Sequence, residues 1–178
     1  MLRSLKLYKN KIESSGAETI ANSQYTKRLT DINLWGNAVK DQGAIAIAQL
    51  KDLASINLGD NEIGDSGAIA LAQLNNLTNI SIGKNQIGDE GAEALAQLNK
   101  LTIVDLGDNK IGNRGVRALV QLDHLSSLSL WGNKLTDTEA EIIANSEHMK
   151  TLVSINLGEN KIGDGGTIAL AQSNYLHN

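Results

Sequence analysis

The sequence of 178 residues contains no cysteine, no proline and no phenylalanine. Without cysteine there is no disulfide framework, no thiol nucleophile and no Cys-ligated zinc. Extracellular domains of this kind commonly lean on disulfides, so an intracellular working environment is expected. Aromatic residues are scarce, with two Trp and three Tyr in the whole chain, too few to build platforms for stacking bases. The net charge of −4 supplies no basic surplus for a polyanion, so no nucleic-acid partner is expected. No run approaches the roughly 18 apolar residues of a membrane span, and the start Met1-Leu2-Arg3-Ser4-Leu5-Lys6 lacks the apolar core of a signal peptide. Two glycosylation sequons, Asn76-Leu77-Thr78 and Asn79-Ile80-Ser81, therefore read as chance matches.

What the chain does contain is a repeat. The template Leu-x-x-Leu/Ile-x-Leu/Ile-x-x-Asn-x-Ile starts at Leu2, Leu29, Leu53, Leu77, Leu101, Leu125 and Leu152, with spacings of 24 or 27 residues. An asparagine ladder (Asn10, Asn37, Asn61, Asn85, Asn109, Asn133 and Asn160) fixes its register. Seven repeats occupy the chain, which is expected to form one domain over residues 1–178. In Leu53-Ala54-Ser55-Ile56-Asn57-Leu58 apolar and polar residues alternate, the period of a strand with one buried face. Four residues after each ladder Asn stands Ser14, Asp41, Asp65, Asp89, Asn113, Asp137 or Asp164, each expected to cap the helix that follows it. In Gly67-Ala68-Ile69-Ala70-Leu71-Ala72-Gln73-Leu74, the residues Ala68, Leu71 and Leu74 share one helical face, and small residues allow close approach to a sheet. The first, sixth and seventh repeats carry three extra residues, as in Asn145-Ser146-Glu147-His148-Met149-Lys150, which are expected to lengthen the end of the helix. One strand and one helix cannot bury their own apolar face, but a stack of such units can. The expected fold is an α/β solenoid with a parallel sheet on its concave side and helices on its convex side.

These repeats resemble the ribonuclease-inhibitor-like class of leucine-rich repeats, over essentially the whole chain. The segments Gly67-Ala68-Ile69-Ala70-Leu71-Ala72 and Gly91-Ala92-Glu93-Ala94-Leu95-Ala96 are similar to the GALA subclass found in effector proteins of bacterial pathogens. Glu139 stands where the motif has glycine in the sixth repeat. The resemblance implies protein binding on the concave face, to a host protein or to an enzyme that is thereby inhibited. It also implies synthesis in a bacterial cytoplasm and translocation into a host cell. Some GALA effectors carry an F-box, for which the repeats leave no segment.

Strand side chains that do not enter the core must project from the concave sheet, in three columns. The first holds Ser4, Asp31, Ser55, Asn79, Ile103, Ser127 and Ser154; the second Lys6, Asn33, Asn57, Ser81, Asp105, Ser129 and Asn156. The third reads Tyr8, Trp35, Gly59, Gly83, Gly107, Trp131 and Gly158. Both tryptophans lie in it, in identical Leu-Trp-Gly-Asn contexts four repeats apart, with three glycines between. Strands about 4.8 Å apart put them roughly 20 Å apart across a lowered floor. Trp and Tyr dominate binding hot spots, yet an aromatic at a strand end can also simply cover its neighbour's backbone, and both readings stand. Mixed charges surround the column, with Lys9 and Lys11 toward the start of the chain and Asp60, Lys84, Asp108 and Glu159 beyond. The candidate partner-binding residues are Lys6, Tyr8, Asp31, Asn33, Trp35, Asn57, Asp60, Lys84, Ile103, Asp105, Asp108, Trp131 and Glu159.

The asparagine ladder reads as structural, its side chains serving buried turns. Glycines 64, 88, 112 and 163 read as backbone permissiveness before each helix. His124, His148 and His177 fall at or beyond helix ends, and no metalloprotease, P-loop or dinucleotide motif is present. A non-catalytic protein-interaction module is expected, without cofactor or metal. An inhibitor that caps an enzyme, and a purely structural array or fragment of a longer repeat protein, are the alternatives. The terminal repeats carry no obvious polar cap, so the chain is expected to be a monomer or to self-associate weakly through its ends.

Overall fold

The computed structural model describes residues 2–176. Seven three-residue strands, β1 (Ser4–Lys6), β2 (Asp31–Asn33), β3 (Ser55–Asn57), β4 (Asn79–Ser81), β5 (Ile103–Asp105), β6 (Ser127–Ser129) and β7 (Ser154–Asn156), form one parallel sheet in chain order. Each is followed by a helix: α1 (Ser14–Asn22), α2 (Lys40–Ile47), α3 (Asp65–Leu71), α4 (Asp89–Leu95), α5 (Asn113–Leu119), α6 (Asp137–Ala144) and α7 (Asp164–Ala171). The architecture is the α/β leucine-rich-repeat solenoid, and the strands pair without slippage, Ser4 opposite Asp31, Asp31 opposite Ser55 and so on to Ser154. The central strand residues Ile32, Ile56, Ile80, Val104 and Leu128 point into the core, where Leu29, Leu53, Leu77, Leu101 and Leu125 meet helix residues such as Ala44, Ala68, Ala92 and Val116. At the two ends this packing thins. Ile155 and Leu157 are only half-buried although their counterparts Ile56 and Leu58 are sealed, because β7 pairs on one side alone.

The ladder asparagines hold adjacent turns together. Asn85 Nδ2 donates to the carbonyls of Leu58 and Ile82, one in the preceding repeat and one in its own. Its Oδ1 accepts from the amides of Asn61 and Ile63 in the preceding repeat. Asn109 and Asn133 repeat the pattern.

Two local expectations change. Asp41, Asp65, Asp89 and Asp137 do not cap their own helices; each caps the next one. Asp41 Oδ1 accepts from Gly64 N at 2.7 Å and Gly67 N at 3.0 Å, the orphan amides that open α3. Asp65 does the same for Gly88 and Gly91, and Asp89 for Gly112 and Gly115. The stack places each carboxylate beside its neighbour's helix N-terminus, where it satisfies donors that the helix cannot. This also accounts for the glycines. Gly64, Gly88, Gly112 and Gly163 have φ between −100° and −119°, open to any residue. A Cβ at Gly88 would stand 3.2 Å from Asp65 Oδ2, so close approach of the carboxylate, not backbone freedom, favours glycine. Second, the extra residues of the sixth repeat do not lengthen α6. They fold into a separate 3-10 turn over Glu147–Thr151, with Met149 buried beneath it.

Candidate functional site

The sheet face is shaped by a side-chain device at the ends of β2, β3, β5 and β7. Asn33 Oδ1 accepts from Trp35 N, Asn57 Oδ1 from Gly59 N, Asp105 Oδ1 from Gly107 N and Asn156 Oδ1 from Gly158 N, at 3.0–3.1 Å. These Asx turns swing the chain out of the sheet and fix the position of the third column. Asn33, Asn57 and Asp105, read from sequence as partner contacts, thus have a positioning task as well. The next residue of every turn (Lys9, Gly36, Asp60, Lys84, Asp108, Gly132 and Glu159) has φ between 51° and 69°. Asp and Lys there accept left-handed backbone that costs L-residues about 1 kcal/mol or more, and they project their charges along the rim.

The two tryptophans lean toward each other. Trp35 reaches forward over Gly59 of the third repeat, where an added Cβ would be 2.7 Å from its Cδ1. Trp131 reaches back over Gly107 of the fifth repeat, where an added Cβ would be 1.8 Å from its Nε1. Both rings consequently line one hollow of about 100 Å³ with Gly83 in its floor, together with Ser81, Lys84 and Asp105. The rings are half-buried, so each covers backbone and still shows a face. The covering and binding readings of these residues describe the same geometry. Lys9 Nζ lies 4.8 Å from the centroid of Trp35, and Lys84 Nζ lies 5.8 Å from that of Trp131, within cation–π range.

The remaining candidates spread around this centre. Lys6, Asp31, Asn33, Asn57 and Ile103 border a shallow hollow of about 380 Å³ along β1–β5, with Ser4, Ser55, Asn79 and Ser81 beside them and the strand residues Ile32, Ile56 and Ile80 beneath. Ile103 is 41% exposed, the one apolar side chain in its outward column. Trp131 and Glu159 border a third hollow with Asn156 and Gly158, on the far side of the ring. Tyr8, 54% exposed, lines none of the three. Asp60 and Asp108 stand exposed on the rim. Among the described residues no group of three His, Asp or Glu gathers as a metal site.

Sequence reasoning passed over one feature on the convex side. The 3-10 turn of the sixth repeat helps to enclose a cleft of about 550 Å³ between α5 and α6, lined among others by Arg117, Gln121, Glu141, Ile142 and His148. His148 is not a lone exposed histidine, because its Nδ1 meets Asp123 Oδ1 at 2.6 Å. That contact, followed by weaker charge effects from His148, His124 and Lys150, holds the Asp123 carboxyl below its ordinary range. His124 is exposed, and His177 lies outside the described residues.

A stack of strand–turn–helix units presenting one continuous side-chain face is a recognition scaffold by architecture. The leucine-rich-repeat family model matches residues 1–21, 28–48, 50–72, 73–96, 97–120 and 148–171, and the chain belongs to the leucine-rich-repeat family. Among solved structures it is similar to an internalin, InlF, of Listeria monocytogenes, at 30% identity and a TM-score of 0.75. That match covers 97% of this chain and 46% of the other, so the chain spans less than half of that protein's resolved length. Internalin C2 of the same organism matches at 23% identity and a TM-score of 0.70, over 98% of this chain and 77% of its own, which bears on fold alone. No protein of curated function matches the sequence. No helix among the described residues is long and apolar enough to cross a membrane.

Proposed function

We propose that this chain is a non-catalytic module that docks a partner protein on its sheet face, centred on Trp35 and Trp131, in the service of a bacterium acting on a host. The observation that carries the reading is the convergence of both tryptophans over a floor of glycines. A chain with five aromatic residues spends two of them on one hollow. Neither indole N–H has a hydrogen-bond partner among the described residues, so both donors remain unpaired. Buried Trp anchors ringed by polar groups are the usual energetic centre of an interface. The polar floor and mixed rim charges suit a specific protein surface. The effector role draws on the GALA-like helices and on the likeness to a bacterial internalin.

The test is capture from host-cell lysate and, separately, from lysate of the source organism, with the wild-type chain and a Trp35→Ala/Trp131→Ala variant of unchanged circular dichroism as baits. A partner held by the wild type and lost by the variant supports the sheet-face reading. If that partner is an enzyme silenced at stoichiometric ratio, the module is an inhibitor. Equal capture by both baits removes the tryptophan face from the interface. A bait that recovers chiefly its own chain would instead point to self-association through the thinly packed ends.

A further inference from the structure

Resting on that reading, we propose that the hollow between Trp35 and Trp131 takes one arginine side chain of the protein partner, with Asp105 as its counter-ion. The charge around the hollow selects a cation. Asp105 lines it and Asp60 and Asp108 flank it along the rim, against Lys84 and, over Trp35, Lys9. Among the described residues none of these three carboxylates enters an ion pair, the pairs of the chain lying elsewhere.

The ring faces point the same way. Lys9 is drawn over Trp35 and Lys84 over Trp131, so both indoles already hold a cation supplied from within the chain. Lys84 reaches Trp131 from two repeats away and sits at the edge of cation–π range, at 5.8 Å. It is the resident stand-in that a better cation displaces. A guanidinium is planar, weakly hydrated and stacks on aromatic faces, where a hydrated ammonium does not. Size agrees. A cavity of about 150 Å³ accommodates benzene, so the hollow of about 100 Å³ admits a guanidinium and its last methylenes but not a second indole.

Asp105 is prepared to receive it. One carboxylate oxygen accepts from Gly107 N at 3.1 Å and the other from Ser81 Oγ at 3.3 Å, which orients the group and leaves lone pairs on both oxygens. The two unpaired indole N–H groups are not matched by a guanidinium. They meet the backbone carbonyls on either side of the arginine, which ties recognition to a peptide and not to a free cation.

The probe is a blocked Gly-Arg-Gly peptide titrated into the full chain, read at the two indole N–H resonances and assigned with Trp35→Phe and Trp131→Phe. Both resonances should move and saturate in the millimolar range, with the citrulline peptide at least about tenfold weaker. Asp105→Asn should weaken the arginine peptide about tenfold without unfolding the chain, because Asn33, Asn57 and Asn156 make the same turn bond in other repeats. Lys84→Met should tighten it severalfold. The inference is overturned if the arginine peptide moves neither resonance, if a Gly-Glu-Gly peptide moves them instead, or if Lys84→Met weakens binding. Its failure is separable from failure of the docking reading. A captured partner lost by the Trp35→Ala/Trp131→Ala variant but kept by Asp105→Asn leaves the face standing and removes the arginine.

Discussion

Asn113 Nδ2 donates to Glu139 Oε1 at 2.9 Å across the junction of the fifth and sixth repeats, inverting the arrangement found at its neighbours. At the α2–α3, α3–α4 and α4–α5 junctions the carboxylate belongs to the preceding helix and the amides to two glycines of the following one. Here the preceding residue is an amide, and the carboxylate has moved into the following helix. Glu139 Oε2 accepts from Thr136 N at 2.9 Å and from its hydroxyl at 2.8 Å, so α6 is capped from within. The departure from Asp at 113 and the departure from Gly at 139 are one compensated change.

The pair should therefore behave non-additively. Asn113→Asp places two carboxylates in contact and should cost about 2 kcal/mol or more, since it buries charge against like charge. Adding Glu139→Gly should return much of that loss by recreating the Asp–Gly junction. In a double-mutant cycle of urea midpoints the coupling should exceed about 1 kcal/mol. Strict additivity would mean that the two side chains do not interact.

Stability at acid pH should report the same carboxylate. Burial pushes the Glu139 carboxyl up, but hydrogen bonds from the Asn113 amide and from the amide and hydroxyl of Thr136 outweigh it and hold the group below its ordinary value of 4.5. A depressed folded-state value means that the charged form contributes stability above the unfolded value. That contribution drains away as pH falls from about 4.5 through the lower folded value. Urea unfolding of wild type and Glu139→Gln from neutral pH downward should show a gap that narrows across this window. Asp123, fully exposed beside His148, titrates in the same direction, but salt should screen its share and leave that of Glu139.

The ladder should be sharply unequal along the stack. Asn85 serves one carbonyl and two amides across a repeat boundary besides a carbonyl of its own turn, and Asn85→Ala strands them at about 1–3 kcal/mol for each group left buried. Asn10, exposed at the edge, bonds only the carbonyls of Leu7 and Tyr8 in its own turn. Asn10→Ala should cost less than about 1 kcal/mol. Chemical denaturation of the two variants side by side decides the matter, and equal losses would contradict the cross-repeat role.

The repeat, the strand and helix halves and the structural ladder were all legible, because each is a periodicity carried by apolar residues and asparagine. Capping was misassigned for a geometric reason. Asp65 stands one residue past Gly64, two before Gly67 and 23 before Gly88, and in a 24-residue repeat sequence cannot tell a cap on its own helix from one on the next. Only the stack shows that the carboxylate faces sideways. At the site, the columns and the glycine floor followed from strand alternation. The inward lean of the two rings did not, because it depends on χ angles and on which neighbour lacks a Cβ. The convex cleft was hidden because the three extra residues close a turn of their own instead of adding to a helix.

Gly107 offers a way to disturb the site while leaving both indoles in place. A Cβ there would stand 1.8 Å from Trp131 Nε1 and 2.1 Å from its Cδ1, so Gly107→Ala must push the ring off its floor. The obstacle is a side chain that can turn, so stability should change by less than about 1 kcal/mol, within the range of surface changes. Trp131 emission should shift to the red with greater quencher access, its contact with Lys84 should be lost, and partner capture should fall as it does for Trp131→Ala. Gly67→Ala is the counterpart: its Cβ would meet Ile63 Cγ2 at 2.6 Å and Asp41 Oδ1 at 2.7 Å, inside a packed junction. That variant should lose about 1–3 kcal/mol through overpacking and still bind while folded. If Gly107→Ala alters the emission of Trp131 but captures the partner undiminished, the seated ring is covering backbone alone, and the tryptophans lose their claim to the interface.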